Sequence, residues 1–169
     1  PWGTERPQPV LTEAEAKRGW VTFVPSELDG IGPLAFPTRS EIDRPMQAFA
    51  SQGEIEPATF GIYATRALSR LSLQAGQFIG PSKASLPASV VDVRAVRIWK
   101  QRTSWAARTY YEIPELLEQP SNLSLPAGAL QQFWVTVRVP ETALPGLYEG
   151  YVRIVAAVSY THLRAHETP

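Results

Sequence analysis

Hydrophobic and polar residues alternate most regularly towards the carboxyl end of the chain. In FWVTVRV, residues 133–139, the apolar side chains Phe133, Val135, Val137 and Val139 share one face, and Thr136 and Arg138 occupy the other. A period of two is what a strand with one buried face requires. A second run obeys the same rule. Tyr148, Val152, Ile154 and Ala156 fall on one side, Gly150 leaves a gap, and Glu149 and Arg153 look outward. Between the runs, residues 140–146 hold two prolines that cannot donate to a ladder and a glycine that tolerates positive φ, so a loop rather than a two-residue turn joins them. The two strands are expected to form the closing pair of a β-sandwich.

Upstream, the pattern predicts shorter elements. Thr12-Glu13-Ala14-Glu15 fits a capping box: the Thr12 hydroxyl and the Glu15 carboxylate satisfy free amides of a short helix that Gly19 ends. Residues 20–24, WVTFV, read as a strand stopped by Pro25. Gly30, Gly32, Pro33, Pro37 and Pro45 leave no regular element in 26–45, which is expected to strap across the surface with Leu34 and Phe36 tucked down. Met46, Ala48 and Ala50 alternate with Gln47 and Phe49, predicting a strand that turns at 51–54. Ala58, Phe60, Ile62 and Ala64 share a face of the next strand, residues 71–75 repeat the alternation, and residues 76–87 form a loop. In 91–99, Val91 and Val93 start on one face and Val96 and Ile98 continue on the other, which predicts a bulge near Ala95. A strand over 106–113 follows, then a single helical turn over 114–118 with Pro114 in the favoured first position.

Six to eight short strands, punctuated by turns and without long helices between them, predict an all-β fold. The expected architecture is an antiparallel β-sandwich, immunoglobulin-like or jelly-roll-like, with a short N-terminal helix and an extended N-terminal strap. Residues 1–45 are expected to be an arm and strap packed on the sandwich, and residues 46–157 the sandwich itself. The remainder, 158–169, stands apart: VSYTHLRAHET over 158–168 resembles one translated frame of a DNA sequencing adapter, a non-native tail following Ala157. Both histidines, His162 and His166, sit in that tail. Their spacing of four suits one helix face, but no acidic or cysteine ligand accompanies them at motif spacing, so no metal site is expected.

Composition narrows the chemistry. Sixteen basic residues balance sixteen acidic ones, which weighs against nucleic acid or an anionic membrane as the main partner. There is no cysteine, hence no disulfide, thiolate nucleophile or cysteine metal site. No run approaches the roughly 18 apolar residues of a membrane span. A Ser-His-Asp triad lacks its histidine outside the tail. Gly30-Ile31-Gly32 lacks the third glycine of a phosphate loop, and no cofactor is expected. With neither an initiator Met nor a signal peptide, the chain is expected to be a piece of a longer protein, cut at both ends.

Two carboxylate pairs invite comparison with acid–base catalysis. Glu54 and Glu56 would share a face if extended, yet no histidine, metal ligand or nucleophile accompanies them, and a loop rim explains them. Glu115 and Glu118 would lie one helical turn apart on a solvated face. Residues 94–111 have the character of a binding surface instead. Arg94, Arg97, Lys100, Arg102 and Arg108 mix with Trp99, Trp105, Tyr110 and Tyr111, and no acidic side chain interrupts them. Aromatic faces stack on sugar C–H faces, and guanidinium forks grip hydroxyls or carboxylates. Trp99, Arg102, Trp105, Arg108, Tyr110 and Tyr111 are therefore candidates for contact with a neighbouring domain, the favoured reading, with a glycan, or, as the remaining alternative, with an anion or nucleic acid. In a further arrangement Trp99 and Tyr110 are core, Trp105 caps a loop, and the arginines pair with another domain's carboxylates.

Five segments in order carry a family resemblance: EIEPATF (54–60), LPASVVDVR (86–94), RTYYEIPELL (108–117), FWVTVRVP (133–140) and PGLYEG (145–150). Over roughly residues 11–157 the chain resembles the N-terminal β-sandwich domain of bacterial glycoside-hydrolase-like proteins, similar to glycoside hydrolase family 123. The resemblance implies a following (β/α) barrel that hydrolyses N-acetylgalactosaminides with help from the substrate's own acetamido group, through a neighbouring Asp-Glu pair. No Asp-Glu dipeptide occurs in this sequence, so no catalytic residue carries over. The implied role is a non-catalytic accessory domain of a secreted, periplasmic or cell-surface enzyme, supporting a barrel that this chain lacks. The alternative is a self-sufficient carbohydrate-binding or cell-surface interaction module.

Overall fold

The computed structural model describes residues 6–25, 35–102, 104, 108–158 and 161–162. Its helix, α1 (Glu13–Arg18), is capped as the sequence predicts. The Thr12 hydroxyl accepts from the Glu15 amide at 3.3 Å, the Glu15 carboxylate accepts from the Thr12 amide at 2.8 Å, and Gly19 closes the helix at φ 88°. The strands are β1 (Trp20–Phe23), β2 (Ile55–Ala64), β3 (Leu68–Ala75), β4 (Phe78–Ile79), β5 (Ser85–Leu86), β6 (Val91–Gln101), β7 (Tyr111–Glu118), β8 (Leu123–Leu125), β9 (Leu130–Arg138), β10 (Val152–Val158) and β11 (Thr161–His162). Among the described residues no helix is long and apolar enough to cross a membrane.

The strands form a five-stranded sheet in the order β1-β2-β9-β6-β7, a four-stranded sheet in the order β11-β10-β3-β8, and the small β4-β5 pair, all antiparallel. Alternation decides which side chains meet between the layers. Ala58, Phe60, Ile62 and Ala64 of β2, Phe133 and Val135 of β9, and Val91, Val93 and Ala95 of β6 cluster with Leu68 and Leu71 of β3 and Ile154 and Ala156 of β10. Phe60 stacks on Phe133 with centroids 5.2 Å apart. Each large apolar side chain taken out of water here contributes about 1.5–3 kcal/mol.

The strap supplies a second, smaller core. Val21 and Phe23 of β1 and Tyr63 of β2 turn away from the sandwich interior and are covered by Phe36 and Ile42. Phe36 meets Tyr63 edge-on at 5.4 Å. This cover explains why β2 is buried on both faces from Ala58 to Ala64. Leu34, expected beside Phe36, lies outside the described residues. Ion pairs tie arm, helix and strap together: Arg6 with Glu41 at 2.9 Å, Arg39 with Glu15 at 2.7 Å, and Arg18 with Asp43 at 2.9 Å.

Several local expectations need correction, among them the loop over 76–87, which holds the β4–β5 pair. Residues 46–50 form no strand, and Phe49 is 86% exposed; β2 already pairs with β1 and β9, so neither of its edges is free to take another strand. Residues 114–118 form no helical turn but the second half of β7, because β6 offers them a ladder and Pro114 lies where its register shifts, a place that tolerates a missing amide. The strand expected over 106–113 begins at Tyr111, with 106 and 107 outside the described residues. Finally, β9 and β10 do not pair with each other. They lie in opposite sheets, and residues 139–151 carry the chain from one layer to the other. Two strands that bury one face each look alike in sequence whether they face each other across the core or lie side by side.

Candidate functional site

The predicted binding stretch lies on the edge of the larger sheet. Strand β6 pairs with β9 from Val91 to Ala95, and beyond Ala95 its strand partner is β7. The side-chain amide of Gln131 donates to the Val96 carbonyl at 2.8 Å, replacing the next rung that β9 would have supplied. From there β6 and β7 leave the sandwich as a two-stranded ribbon. Its register pairs Val96 with Leu117, Arg97 with Leu116, Ile98 with Pro114, Trp99 with Ile113, and Gln101 with Tyr111.

This geometry corrects the predicted bulge near Ala95. The register against β9 is regular through Ala95; the shift lies between Arg97 and Ile98, where Glu115 is the extra residue on β7. The apolar residues change face after Ala95 because the ribbon has left the core, not because the strand slips. One ribbon face carries Arg97, Trp99, Tyr111, Ile113 and Leu116, continuing the side that Val91, Val93 and Ala95 bury. The other carries Ile98, Pro114 and Leu117. Beyond the buried Val96, both faces carry exposed side chains: Trp99 is 48% accessible and Leu117 50%, and Tyr110, just before β7, is 60% accessible. Trp99 and Tyr110 are thus surface residues, and the arrangement that placed them in the core is set aside.

The basic side chains are largely engaged within the ribbon. Arg97 bonds Glu118 at 2.6 Å and lies over the Trp99 ring at 5.2 Å. Arg102 lies over the Tyr110 ring at 5.5 Å, Lys100 approaches Glu112 at 3.8 Å, and Arg94 donates through Nε to Asp92 at 2.8 Å. Guanidinium groups on aromatic faces gain about 0.5–1 kcal/mol each at exposed positions. Arg108 is exposed near the ribbon's end, and Trp105 lies outside the described residues. Sequence reasoning missed Ile98, Leu116 and Leu117. Their signal was the adjacent pair Leu116-Leu117, which must present one leucine to each face of an extended strand.

The candidate carboxylates are not assembled for catalysis. Glu54 accepts from the Ser51 amide at 2.6 Å within a turn, while Glu56 lies in β2 opposite Val137. Glu115 occupies the register shift and Glu118 is paired with Arg97, so these two share no helical face.

The chain matches no protein-family model and no curated protein. Its fold is similar to part of a solved structure, a family 123 glycoside hydrolase from Clostridium perfringens described for glycolipid glycan hydrolysis. The TM-score is 0.56 at 15% identity, over 64% of this chain and 19% of that one. This chain therefore spans about a fifth of that protein's length, and the likeness concerns the fold.

Proposed function

We propose that this chain is a non-catalytic accessory sandwich of a glycoside-hydrolase-like protein that acts outside the cytoplasm, and that the β6–β7 ribbon is its contact with a catalytic barrel. The observation that carries this reading is the ribbon's exposure of large apolar side chains on both faces. A bare two-stranded ribbon is marginal in water, and contiguous exposed apolar patches mark interaction surfaces. Similarity to one part of a much longer glycosidase fits a sandwich that accompanies a catalytic domain. In the second reading, a self-sufficient glycan-binding module, sugar rings would stack on Trp99 and Tyr110. Arg97 and Arg102 already occupy a face of each ring, which favours domain contact.

The test reads the source DNA onward from the codon for Ala157 and expresses the longer product. A continuation of several hundred residues, alternating strands with helices and placing an Asp-Glu pair at a strand end, is the expected result. A stop codon, or a further run of short strands, would overturn the reading. In the longer protein, combining Trp99→Ala with Arg102→Ala should expose the domain junction to protease while leaving the melting of the isolated chain unchanged.

A further inference from the structure

The ribbon has two edges, and they differ. Successive residues of an antiparallel strand direct their amide and carbonyl to opposite sides. The Val96 carbonyl is turned towards β9, where the Gln131 side chain donates to it at 2.8 Å. Counting on along β6, Arg97, Trp99 and Gln101 bond to β7, and Ile98 and Lys100 turn away from it. The rungs they meet on β7 leave Glu112, Pro114 and Leu117 turned to the ribbon's other side. That β7 edge is closed to a further strand: Pro114 has no amide to donate, and Glu115 breaks the register beside it. The β6 edge is open. Its last rung with β9 joins Ala95 to Phe133, and among the described residues no strand pairs with Ile98 or Lys100 from that side. Where the two strands part, a depression of about 200 Å³ lies between them, lined among others by Val96, Ile98, Leu130 and Gln131.

An open edge pairs with an extended segment, its backbone supplying affinity and its side chains selecting the partner. Lys100 stands on this edge with its side chain 74% exposed and only a loose contact, 3.8 Å, to Glu112. Opposite charges across a ladder stabilise it and like charges destabilise it, so a carboxylate belongs opposite Lys100. A second copy of β6 is disfavoured for the same reason, since the strand carries Arg94, Arg97 and Lys100 against the single acid Asp92. An apolar side chain belongs opposite Ile98, over the depression. We propose that the ribbon docks by strand addition: an extended, acidic segment of the neighbouring domain pairs antiparallel with residues 98–101 of β6. This docking mode rests on the reading of the ribbon as a domain contact. It makes the ladder at one edge, from which the partner's side chains cover Ile98 on one face and Trp99 on the other.

The test compares the full chain with the longer protein by hydrogen exchange resolved to single amides. In the full chain the Ile98 and Lys100 amides should exchange freely; in the longer protein they should slow by about tenfold or more, with Glu112 and Leu117 unchanged. Ile98→Pro deletes an outward amide and no rung to β7, so it should speed protease cleavage at the junction about fivefold, the worth of one hydrogen bond of ordinary strength. Ile98→Ala, which keeps the amide, should do less, and Leu117→Pro, the same change on the closed edge, should do nothing measurable. If Ile98→Pro fails to fold, the exchange rates decide. Fast Ile98 and Lys100 amides in a longer protein whose junction resists protease would overturn strand addition and leave a domain contact made by the faces alone. Equal effects of the three substitutions would do the same. Protection of Ile98 that grows with concentration in the full chain by itself would give the edge to a second copy and overturn the proposal. A junction open to protease in the unsubstituted longer protein would overturn the domain contact itself, and strand addition with it.

Discussion

Glu41 and Arg6, 35 residues apart, meet where the amino-terminal arm crosses the strap: one guanidinium nitrogen donates to both carboxylate oxygens, at 3.1 and 2.9 Å. The carboxylate is buried and also accepts from the Thr38 amide at 2.8 Å, whereas Arg6 is partly open to water. Losing Glu41 therefore costs more than a surface pair would. Glu41→Ala is expected to destabilise the chain by about 2–4 kcal/mol, read from the urea midpoint. A change within the error of the fit would mean that the strap is held by its apolar contacts alone.

Glu15 gives the chain a defined acid response. The Arg39 guanidinium, bonded to both oxygens at 2.8 and 2.7 Å, is the chief cause that holds its carboxyl down to about 2 from the ordinary 4.5; burial opposes it and the Thr12 amide assists. Because the folded state takes up this proton less readily than the unfolded one, the stabilisation is complete above about 4.5 and is lost as pH falls towards 2. Glu15→Gln should flatten stability against pH across that window and leave the slope at higher pH alone. Arg39 is more than half exposed, so added salt should shrink the effect.

Gly150 lies beneath the ring of Phe78. A Cβ there would stand 2.5 Å from Phe78 Cδ1, too close for any real contact. Gly150→Ala is expected to cost about 1–3 kcal/mol by overpacking. Adding Phe78→Ala should remove that clash, so the double variant should lose clearly less than the sum of the two single losses, a non-additivity that thermal melts can resolve.

Core and ribbon should respond oppositely to apolar loss. Phe133, wholly buried and stacked on Phe60, should cost about 3–5 kcal/mol as Phe133→Ala. Leu117, half exposed on the ribbon, should change stability by less than about 0.5 kcal/mol as Leu117→Ser. Comparable losses from both would show that the ribbon's apolar faces belong to this domain's own core.

Local elements whose signals are complete within a few residues were legible from the chain alone. The capping box at Thr12 and Glu15 and the alternations of β2 and β9 depend on backbone geometry and side-chain period alone. The cationic, aromatic character of residues 94–111 was also legible, since it is composition. Pairing was settled by long-range packing. The apolar faces of β9 and β10 are equally consistent with one sheet or two, and the 13 residues between them reach either. Pro114 opens a helix or sits at a strand's register shift with equal ease, and the neighbouring β6 ladder settled which. Residues 46–50 alternate like a strand, but both edges of β2, which follows them in the chain, are already paired. Where β7 and β8 stop pairing with β6 and β3 was not legible at all, because that is set by where the chain crosses between layers.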